Sequence, residues 1–251
     1  MIGVLYTVFT GYGTPAAASA PGPSQQEIAG GKALFAVTCA SCHGDGAQGT
    51  SNGPSLIGAG AAAVDFQVST GRMPAKEPGA EMDRKPVTFT EAQIHQLAAY
   101  IASLGGGPAI PSVDQVSSAG ANTGLGQQLF LANCAQCHNF AGAGGALTYG
   151  KYAPALTAAT PTQIYEAMLT GPEAMPVFND TTVTPAQKRD IIAYVTQTRA
   201  ETNPGGFSLG RVGPVTEGLV IWLGGIGFIV LAAMWLTARH REPPQNISEE
   251  S

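Results

Sequence analysis

Apolar residues recur at steps of three and four in two segments of this chain, residues 90–101 and 184–195. This spacing places them on one face of a helix, and Thr90 and Thr184 are favourable N-cap residues at the two starts. Pro185 suits a first helical turn, which has no use for the backbone N–H that proline lacks. The predicted buried faces are Ile94, Leu97, Ala98 and Ile101 in the first helix and Ile191, Ile192, Tyr194 and Val195 in the second.

A third pattern is apolar on every side: residues 218–238 run for 21 positions without a charge. About 20 such residues suffice for a helix to cross a bilayer, so we predict a transmembrane helix over residues 215–238. Trp222 and Trp235 lie towards its two ends, as in an interfacial aromatic belt. A buried core helix is the alternative, but core helices rarely carry a fully apolar surface this long.

The charges that flank this span predict its orientation. Glu217 precedes it, whereas Arg239, His240 and Arg241 follow it directly. Positive residues favour the cytoplasmic side, so we expect residues 239–251 to form a cytoplasmic tail in a plasma-membrane protein. The rest of the chain then lies on the outer, periplasmic-side face.

The N-terminal segment is apolar over residues 1–10 but too short to span a membrane. Residues 16–20 resemble a signal-peptide cleavage region, although no basic segment precedes them. We expect residues 1–20 to be the remnant of an N-terminal membrane anchor. An uncleaved signal sequence is the alternative.

An internal repeat organises the rest of the chain. A Gly-x-x-Leu-Phe segment begins at Gly31 and again at Gly126, and each half continues with a proline turn, a Met-Pro pair and one of the closing helices. A glycine inside a helix costs about 1 kcal/mol relative to alanine, so these two predict close approach of another backbone, that of the closing helix. The predicted segments are a first repeat at 25–104, a linker at 105–123, a second repeat at 124–200 and a linker at 201–214. The first linker is rich in glycine, proline and serine, so we expect an open connection that lets the two domains shift relative to one another.

All four cysteines fall into two copies of Cys-x-x-Cys-His, one in each repeat. This pattern is the attachment site of a c-type haem. Two thiols one helical turn apart reach the vinyl groups of one porphyrin edge, while the histidine turns its imidazole onto the iron. The predicted cofactors are therefore two covalently bound haem c groups, held by Cys39, Cys42 and His43 and by Cys134, Cys137 and His138.

Three other uses of paired cysteines fit less well. A disulfide between Cys39 and Cys42 would close almost no loop and stabilise little. A thioredoxin-like redox pair expects a βαβ context and a single pair. A zinc site built from both pairs would leave His43 and His138 without a role.

The sixth iron ligand separates electron transfer from catalysis. Met73 and Met175 occupy equivalent positions of the repeat, each followed by proline, and we predict them as the axial partners of the two histidines. Methionine closes the iron and raises its reduction potential, which leaves no catalytic residue to assign. Met82 lies in a segment of mixed charge after Met73, and Met168 lies on a predicted helix over residues 161–170, so both are weaker candidates.

Composition narrows the function further. The net charge is −5 and no basic patch is present, so nucleic acid is not an expected partner. With 33 glycines and 18 prolines, the chain suggests small, loop-rich domains. Domains of this size have cores that contribute roughly 3–5 kcal/mol, and a covalent porphyrin would complete such a core.

Each repeat resembles a class I cytochrome c domain, so the expected fold is all-α, with tandem domains and a C-terminal transmembrane helix. The resemblance rests on the Gly-x-x-Leu-Phe helix, the haem motif, the proline loop, the distal methionine and the aromatic closing helix. It implies a role for Pro54 and Pro154, whose carbonyls would accept the Nδ1 hydrogen of the proximal histidine and orient its ring.

Segments 66–74, 150–154 and 168–172 resemble the di-haem cytochrome c subunit of the actinobacterial cytochrome bcc complex, a menaquinol–cytochrome c reductase. The resemblance implies electron transfer from a Rieske iron-sulfur protein to the copper A centre of a haem-copper oxidase, beside a cytochrome b subunit, within a respiratory supercomplex. The chain would be the electron-transfer subunit of an oxidoreductase and translocase, with no substrate chemistry of its own. Alternatives are the di-haem subunit of a cbb-type oxidase and a di-haem peroxidase.

Overall fold

The structure, a computed structural model, describes residues 22–79, 81–201, 211 and 214–239. Three predicted segments lie outside the described residues. They are the N-terminal anchor remnant at 1–20, nearly all of the linker 201–214, and the tail after Arg239, with His240. Within the described ranges the regular secondary structure is helical apart from two strands of two residues each, and loops and turns connect the helices.

The first repeat is built from four helices: α1 (Gln25–Thr38), α2 (Ala40–His43), α3 (Gly60–Ser69) and α4 (Glu91–Gly105). α1 begins with a capping box in which the Ser24 side chain accepts from the backbone N–H of Glu27, and the Glu27 carboxylate accepts from the backbone of Ser24. Thr90 and Gln93 form the same box at the start of α4. The four core positions predicted for α4 are all buried.

A short helix, α5 (Val113–Val116), lies in the segment predicted as an open linker. The Gln115 amide donates to the hydroxyl of Tyr165 in the second repeat (3.3 Å), and the backbone N–H of Asn122 donates to the Asp190 carboxylate (2.7 Å). The linker is therefore attached to the second repeat, although its Gly- and Pro-rich composition suggested a free connection. One contact joins residues that are 50 positions apart in the chain, and the other joins residues that are 68 positions apart. Composition alone does not predict contacts over such separations.

The second repeat repeats the pattern with a small hairpin added. Its elements are α6 (Thr123–Asn133), α7 (Ala135–His138), β1 (Gly145–Ala146), a 3-10 turn (Thr148–Gly150), β2 (Tyr152–Ala153), α8 (Pro161–Thr170) and α9 (Pro185–Ala200). β1 pairs antiparallel with β2. α9 begins with a Thr184–Gln187 capping box and Pro185 in its first turn, as predicted. Its four predicted core positions are all buried.

The opening and closing helices of each repeat cross at a glycine. A Cβ at Gly31 would overlap the carbonyl oxygen of Gln96, and a Cβ at Gly126 would overlap that of Asp190. Beside each crossing two aromatic rings meet at nearly the same centroid distance: Phe35–Tyr100 at 5.4 Å and Phe130–Tyr194 at 5.3 Å. The predicted close approach is thus confirmed in both repeats.

The two repeats pack on each other through α3 and α8. The Gln163 amide of α8 donates to the Ser69 hydroxyl at the end of α3 (3.1 Å). The segment that follows Met73 extends this contact, because the backbone N–H of Met82 donates to the Glu173 carboxylate (3.0 Å). The Tyr152 hydroxyl donates to the carboxylate of Asp83 (2.9 Å). This segment of the first repeat therefore lies against the second repeat.

The C-terminal helix, α10 (Pro214–Arg239), contains the predicted apolar span. Its stretch Gly218–Arg239 is long and apolar enough to cross a membrane, and none of it is buried against the rest of the protein. A core helix would be mostly buried, so the core-helix alternative is wrong. The Arg239 guanidinium lies over the Trp235 ring at 4.3 Å, which places a cation and an aromatic side chain together at one end of the span.

Candidate haem sites

The cysteine-histidine segment of the second repeat is a tight turn at the junction of α6 and α7. Cys134 ends α6, and its carbonyl accepts from the backbone N–H groups of Cys137 (3.1 Å) and His138 (2.9 Å). The His138 Nδ1 atom lies 3.0 Å from the carbonyl oxygen of Pro154. Burial lowers the pKa of this imidazole, and the Pro154 carbonyl opposes that shift. A neutral ring with Nδ1 engaged leaves Nε2 as the free nitrogen for a metal.

The first repeat has the same arrangement. The carbonyl of Cys39 accepts from the backbone N–H groups of Cys42 (3.1 Å) and His43 (3.0 Å). The His43 Nδ1 atom lies 2.7 Å from the carbonyl oxygen of Pro54, and only 8% of His43 is exposed. In both repeats the motif histidine thus lies against the carbonyl of the proline that the resemblance singled out.

Cys39 and Cys134, the first cysteines of the two pairs, lack the electrostatics of a reactive thiol. Burial raises the pKa of the Cys39 thiol, and it raises the pKa of the Cys134 thiol to about 11. Reactive Cys-x-x-Cys pairs need a lowered pKa, because the thiolate is the nucleophile. Among the residues that the structure describes, no group of three or more histidine, cysteine or acidic side chains could hold a metal ion. Neither the thioredoxin-like alternative nor the zinc alternative gains support.

An apolar cavity lies directly beside His138. Residues of the second Cys-x-x-Cys-His segment line it, together with its proline turn, its methionine loop and core residues of α6, α8 and α9: Phe130, Cys134, Cys137, His138, Pro154, Leu156, Ile164, Met168, Met175, Phe178, Ile191 and Val195. Its walls offer two thiols, one imidazole and two thioethers on a mostly apolar surface. This donor set fits a covalently attached porphyrin with histidine and methionine on its iron.

Both methionine candidates of the second repeat line this cavity. Met168 is 3% exposed and belongs to the core of α8, whereas Met175 is half-buried on the loop that follows. The Met175 loop is held by a bond from its backbone N–H to the Pro172 carbonyl (3.0 Å) and by one from Phe178 N–H to the Met168 carbonyl (2.7 Å). Because both methionines line the cavity, this position alone does not identify which of them would be the sixth iron ligand.

Met73 of the first repeat lies on the equivalent loop. It is half-buried, and its backbone N–H donates to the carbonyl of Gln67 near the end of α3 (2.9 Å). Met82 lies farther along the same segment, where its N–H bonds to Glu173 of the second repeat. The repeat position of Met73 and its tether to α3 therefore favour it over Met82.

The first repeat completes the wall of the cavity in the second repeat, a contact that the motif pattern does not predict. The contributing side chains are Phe66, Thr70, Arg72, Glu81 and Arg84. A cross-repeat wall of this kind cannot be read from motif spacing, because it depends on how two domains pack. The one available signal was an arginine beside Met73 and a glutamate two residues before Met175, opposite charges on equivalent loops.

Arg72 is the most buried cation of that wall, with 9% of its side chain exposed. Its Nε atom lies 3.4 Å from the Glu173 carboxylate. The guanidinium also lies over the Phe66 ring, 5.1 Å from the centroid. This ion pair joins the loop of Met73 to the loop of Met175.

Two carboxyl groups meet between α3 and α8, outside the haem motifs. Asp65 is 9% exposed and Glu166 is fully buried. Burial first, and then the charge of Asp65, raise the pKa of Glu166 to about 10, while burial also raises the pKa of Asp65. Among the residues that the structure describes, neither oxygen of Glu166 has a hydrogen-bond partner, so an ionised Glu166 would be a buried charge without compensation. The pair therefore holds a proton at neutral pH.

Family models match both repeats. Residues 28–105 match the cytochrome c family, and residues 121–195 match the family described as cytochrome c oxidase, cbb3-type, subunit III. The two matches fall on the two haem motifs and their surrounding helices.

Curated relatives match most of the chain. It is 49% identical over 232 residues to the cytochrome bc1 complex cytochrome c subunit of Mycobacterium leprae, a match that covers 90% of this chain and 80% of that protein. The subunit of the same name from Corynebacterium efficiens is 46% identical over 237 residues, covering 88% and 80%. The Cbb3-type cytochrome c oxidase subunit FixP of Sinorhizobium medicae is 32% identical over 127 residues, covering only 47% and 41%.

Proposed function

The chain belongs to the family of cytochrome bc1 complex cytochrome c subunits, and from that premise we propose that it carries electrons through two haem c groups within such a complex. The observation that carries the proposal is the presence, in each repeat, of a complete set of two cysteines, a histidine bonded to a proline carbonyl and a methionine loop. A set that closes both faces of an iron suits electron transfer and leaves no position for a substrate.

The residues of each repeat have distinct tasks. The thioether positions are Cys39 and Cys42 in the first repeat and Cys134 and Cys137 in the second. His43 with Met73, and His138 with Met175, would be the axial pairs, and Pro54 and Pro154 orient the histidine rings. Bound there, the haems would supply one-electron redox chemistry, and the apolar walls keep water from the iron of the second repeat.

We place the chain between a Rieske iron-sulfur protein and the copper A centre of a haem-copper oxidase, next to a cytochrome b subunit. Menaquinol would be the ultimate donor. The sequence resemblance supports these partners, and so does the pairing of two haem domains in one chain, which gives one domain to accept and one to donate. The chain itself would act as the electron-transfer subunit of the oxidoreductase.

The apolar helix α10 anchors the protein in the membrane. Its exposed surface over Gly218–Arg239 supports insertion into lipid. The basic residues at and after its end support a cytoplasmic C-terminus, with both haem domains on the outer face.

Two other functions are less well supported. The cbb3-type relatives match less than half of this chain, whereas the bc1 relatives cover about nine-tenths of it. A di-haem peroxidase needs one iron with an open or displaceable ligand, and both repeats carry a methionine at the closing position.

Purification of the full chain from its membrane in mild detergent tests the function. We expect cytochrome b, a Rieske protein and oxidase subunits to co-purify, and a pyridine haemochrome assay of the isolated chain to give two c-type haems. A free di-haem protein with peroxidase turnover would contradict the proposal, and one haem per chain would contradict the cofactor assignment.

A further inference from the structure

Arg72 belongs to the first repeat, yet its side chain lines the cavity beside His138 in the second. It reaches this position because α3 packs on α8 and the loop after α3 continues along the second repeat. The ion pair with Glu173 of the second repeat holds the loop that follows α3 in place. The Arg72 guanidinium lies over the Phe66 ring, 5.1 Å from the ring centroid.

The guanidinium of Arg72 has donors to spare. Its side chain is 9% exposed, and within the part of the chain that the structure describes its Nε atom is buried without a hydrogen bond, since the 3.4 Å approach to Glu173 is an ion pair only. A guanidinium has five N–H donors in a planar fork that matches a carboxylate. Buried cations are retained where they are paired and hydrogen-bonded, so the remaining donors call for an anionic partner in the cavity.

The other charges around the cavity do not fill this need. The Glu173 carboxylate already accepts from the backbone N–H of Met82 (3.0 Å), in addition to its ion pair with Arg72. Glu81 also lines the cavity but forms no salt bridge with Arg72 within the described residues, and Arg84 is itself a cation and is exposed. An anion that enters the cavity would therefore meet Arg72 as its most buried positive partner.

The ligand proposed for this cavity carries such anions. A haem has two propionate carboxylates, its only charged substituents, while its vinyl groups would be consumed by Cys134 and Cys137 and its iron by His138 and Met175. We propose that Arg72 of the first repeat donates hydrogen bonds to a propionate carboxylate of the haem held by the second repeat. The inference rests on the proposed haem site and adds a residue from the other domain to it.

Such a bond has an electrostatic consequence for the second haem. A fixed positive charge beside a propionate offsets its negative charge and favours the reduced iron, because reduction lowers the net positive charge of the centre. Arg72 thus raises the reduction potential of the haem in the other domain, and the second potential depends on how the two domains pack.

The experiment compares Arg72→Gln with Lys76→Gln in the full-length, haem-loaded chain. Lys76 is an exposed cation four residues away that does not line the cavity, so its variant loses the same charge without the same contact. We expect Arg72→Gln to shift the reduction equilibrium of the second haem about tenfold towards the oxidised form, or 59 mV for a one-electron couple. Lys76→Gln should leave it nearly unchanged.

The component that belongs to the second haem is identified with Met175→His, which should displace only that component in a redox titration. Resonance Raman spectroscopy provides a second measurement, because the propionate bending band responds to hydrogen bonding. Arg72→Lys keeps the charge but loses the planar fork, so it should shift the potential less than Arg72→Gln and still alter the band.

Three results would overturn the proposal: a shift confined to the first haem, whose ligand loop adjoins Arg72; an unchanged propionate band in both variants; or equal shifts in the Arg72→Gln and Lys76→Gln chains. Haem quantification separates these from failure of the proposed function. Two haems per chain with no effect of Arg72 reject only the cross-domain bond, whereas fewer than two reject the cofactor assignment itself.

Discussion

At the scale of single residues, the two histidine-proline contacts are made across loops of different length. His43 and Pro54 are 11 positions apart, whereas His138 and Pro154 are 16 apart. The additional residues form the small hairpin of β1 and β2, which returns the chain so that the same carbonyl faces the same ring nitrogen. The same contact recurs across loops of unequal length, which supports the proposed role of the two prolines in orienting the histidine rings.

The assignment of Met73 and Met175 as sixth ligands predicts a spectroscopic result. Replacing either with histidine should abolish the methionine-to-iron charge-transfer absorption of one haem and lower its reduction potential, because histidine-methionine ligation has the higher potential. Visible spectra and redox titration of the two variants test this.

Met82→Leu and Met168→Leu are the matched controls. Leucine conserves the volume of methionine at the buried Met168 position, so packing is retained. Both controls should keep the two charge-transfer bands. If a control variant lost a charge-transfer band while the Met73 or Met175 variant of the same repeat kept it, the sixth ligand would be Met82 or Met168 instead.

At the scale of secondary-structure elements, the helix crossings show how far the amino-acid pattern reaches. The buried faces of α4 and α9, their capping residues and the two crossing glycines were all predicted from spacing. Spacing works here because a helix repeats its faces regularly. It could not identify α5, since a four-residue helix has too few turns to show a period.

Two glycines of α6 provide a matched test of the crossing. Gly126→Ala should lower the free energy of unfolding by about 1–3 kcal/mol, because its methyl group would overlap the Asp190 carbonyl. Gly124→Ala adds the same group where the nearest atom, Asn122 Oδ1, lies 3.5 Å away. It should be neutral or slightly stabilising.

Thermal unfolding of the haem-loaded chains measures both changes. A Gly126→Ala variant as stable as the Gly124→Ala variant would show that the α6–α9 crossing tolerates a wider separation than the structure gives it.

At the scale of the whole molecule, the contact between α3 and α8 sets the relation of the two domains. It carries the Ser69–Gln163 bond, the cavity wall from the first repeat and the buried pair of Asp65 and Glu166. A proton-sharing carboxyl pair makes this contact sensitive to pH. A linker that looked flexible by composition therefore connects domains whose packing is specific.

The pH dependence has a definite sign. The folded protein holds the Glu166 proton to about pH 10, whereas an unfolded chain releases it near the ordinary value of 4.5. Between pH 4.5 and about pH 10 the unfolded state binds fewer protons than the folded state. The contribution of Glu166 to the free energy of unfolding is therefore fully present below pH 4.5, and it falls as pH rises by at most about 1.4 kcal/mol per pH unit. We expect Glu166→Gln to flatten the decrease in melting temperature between pH 5 and pH 9.

Glu77→Gln is the control for this variant, because Glu77 is an exposed carboxylate of the first repeat. Its melting curve should follow that of the unmodified chain at every pH. If the melting temperature of the Glu166→Gln chain depended on pH as strongly as that of the unmodified chain, the buried pair would hold no proton.

The sequence by itself determined the features that depend on local spacing: the two Cys-x-x-Cys-His motifs, the repeat, the helix faces and the apolar span. Each is a relation among residues within a few turns of one another, where the covalent chain fixes geometry. Only the tertiary structure decided what the first repeat does for the second. Arg72 faces the cavity of His138, and Asp65 meets Glu166, because two helices about 100 positions apart pack face to face, and no local pattern specifies that packing.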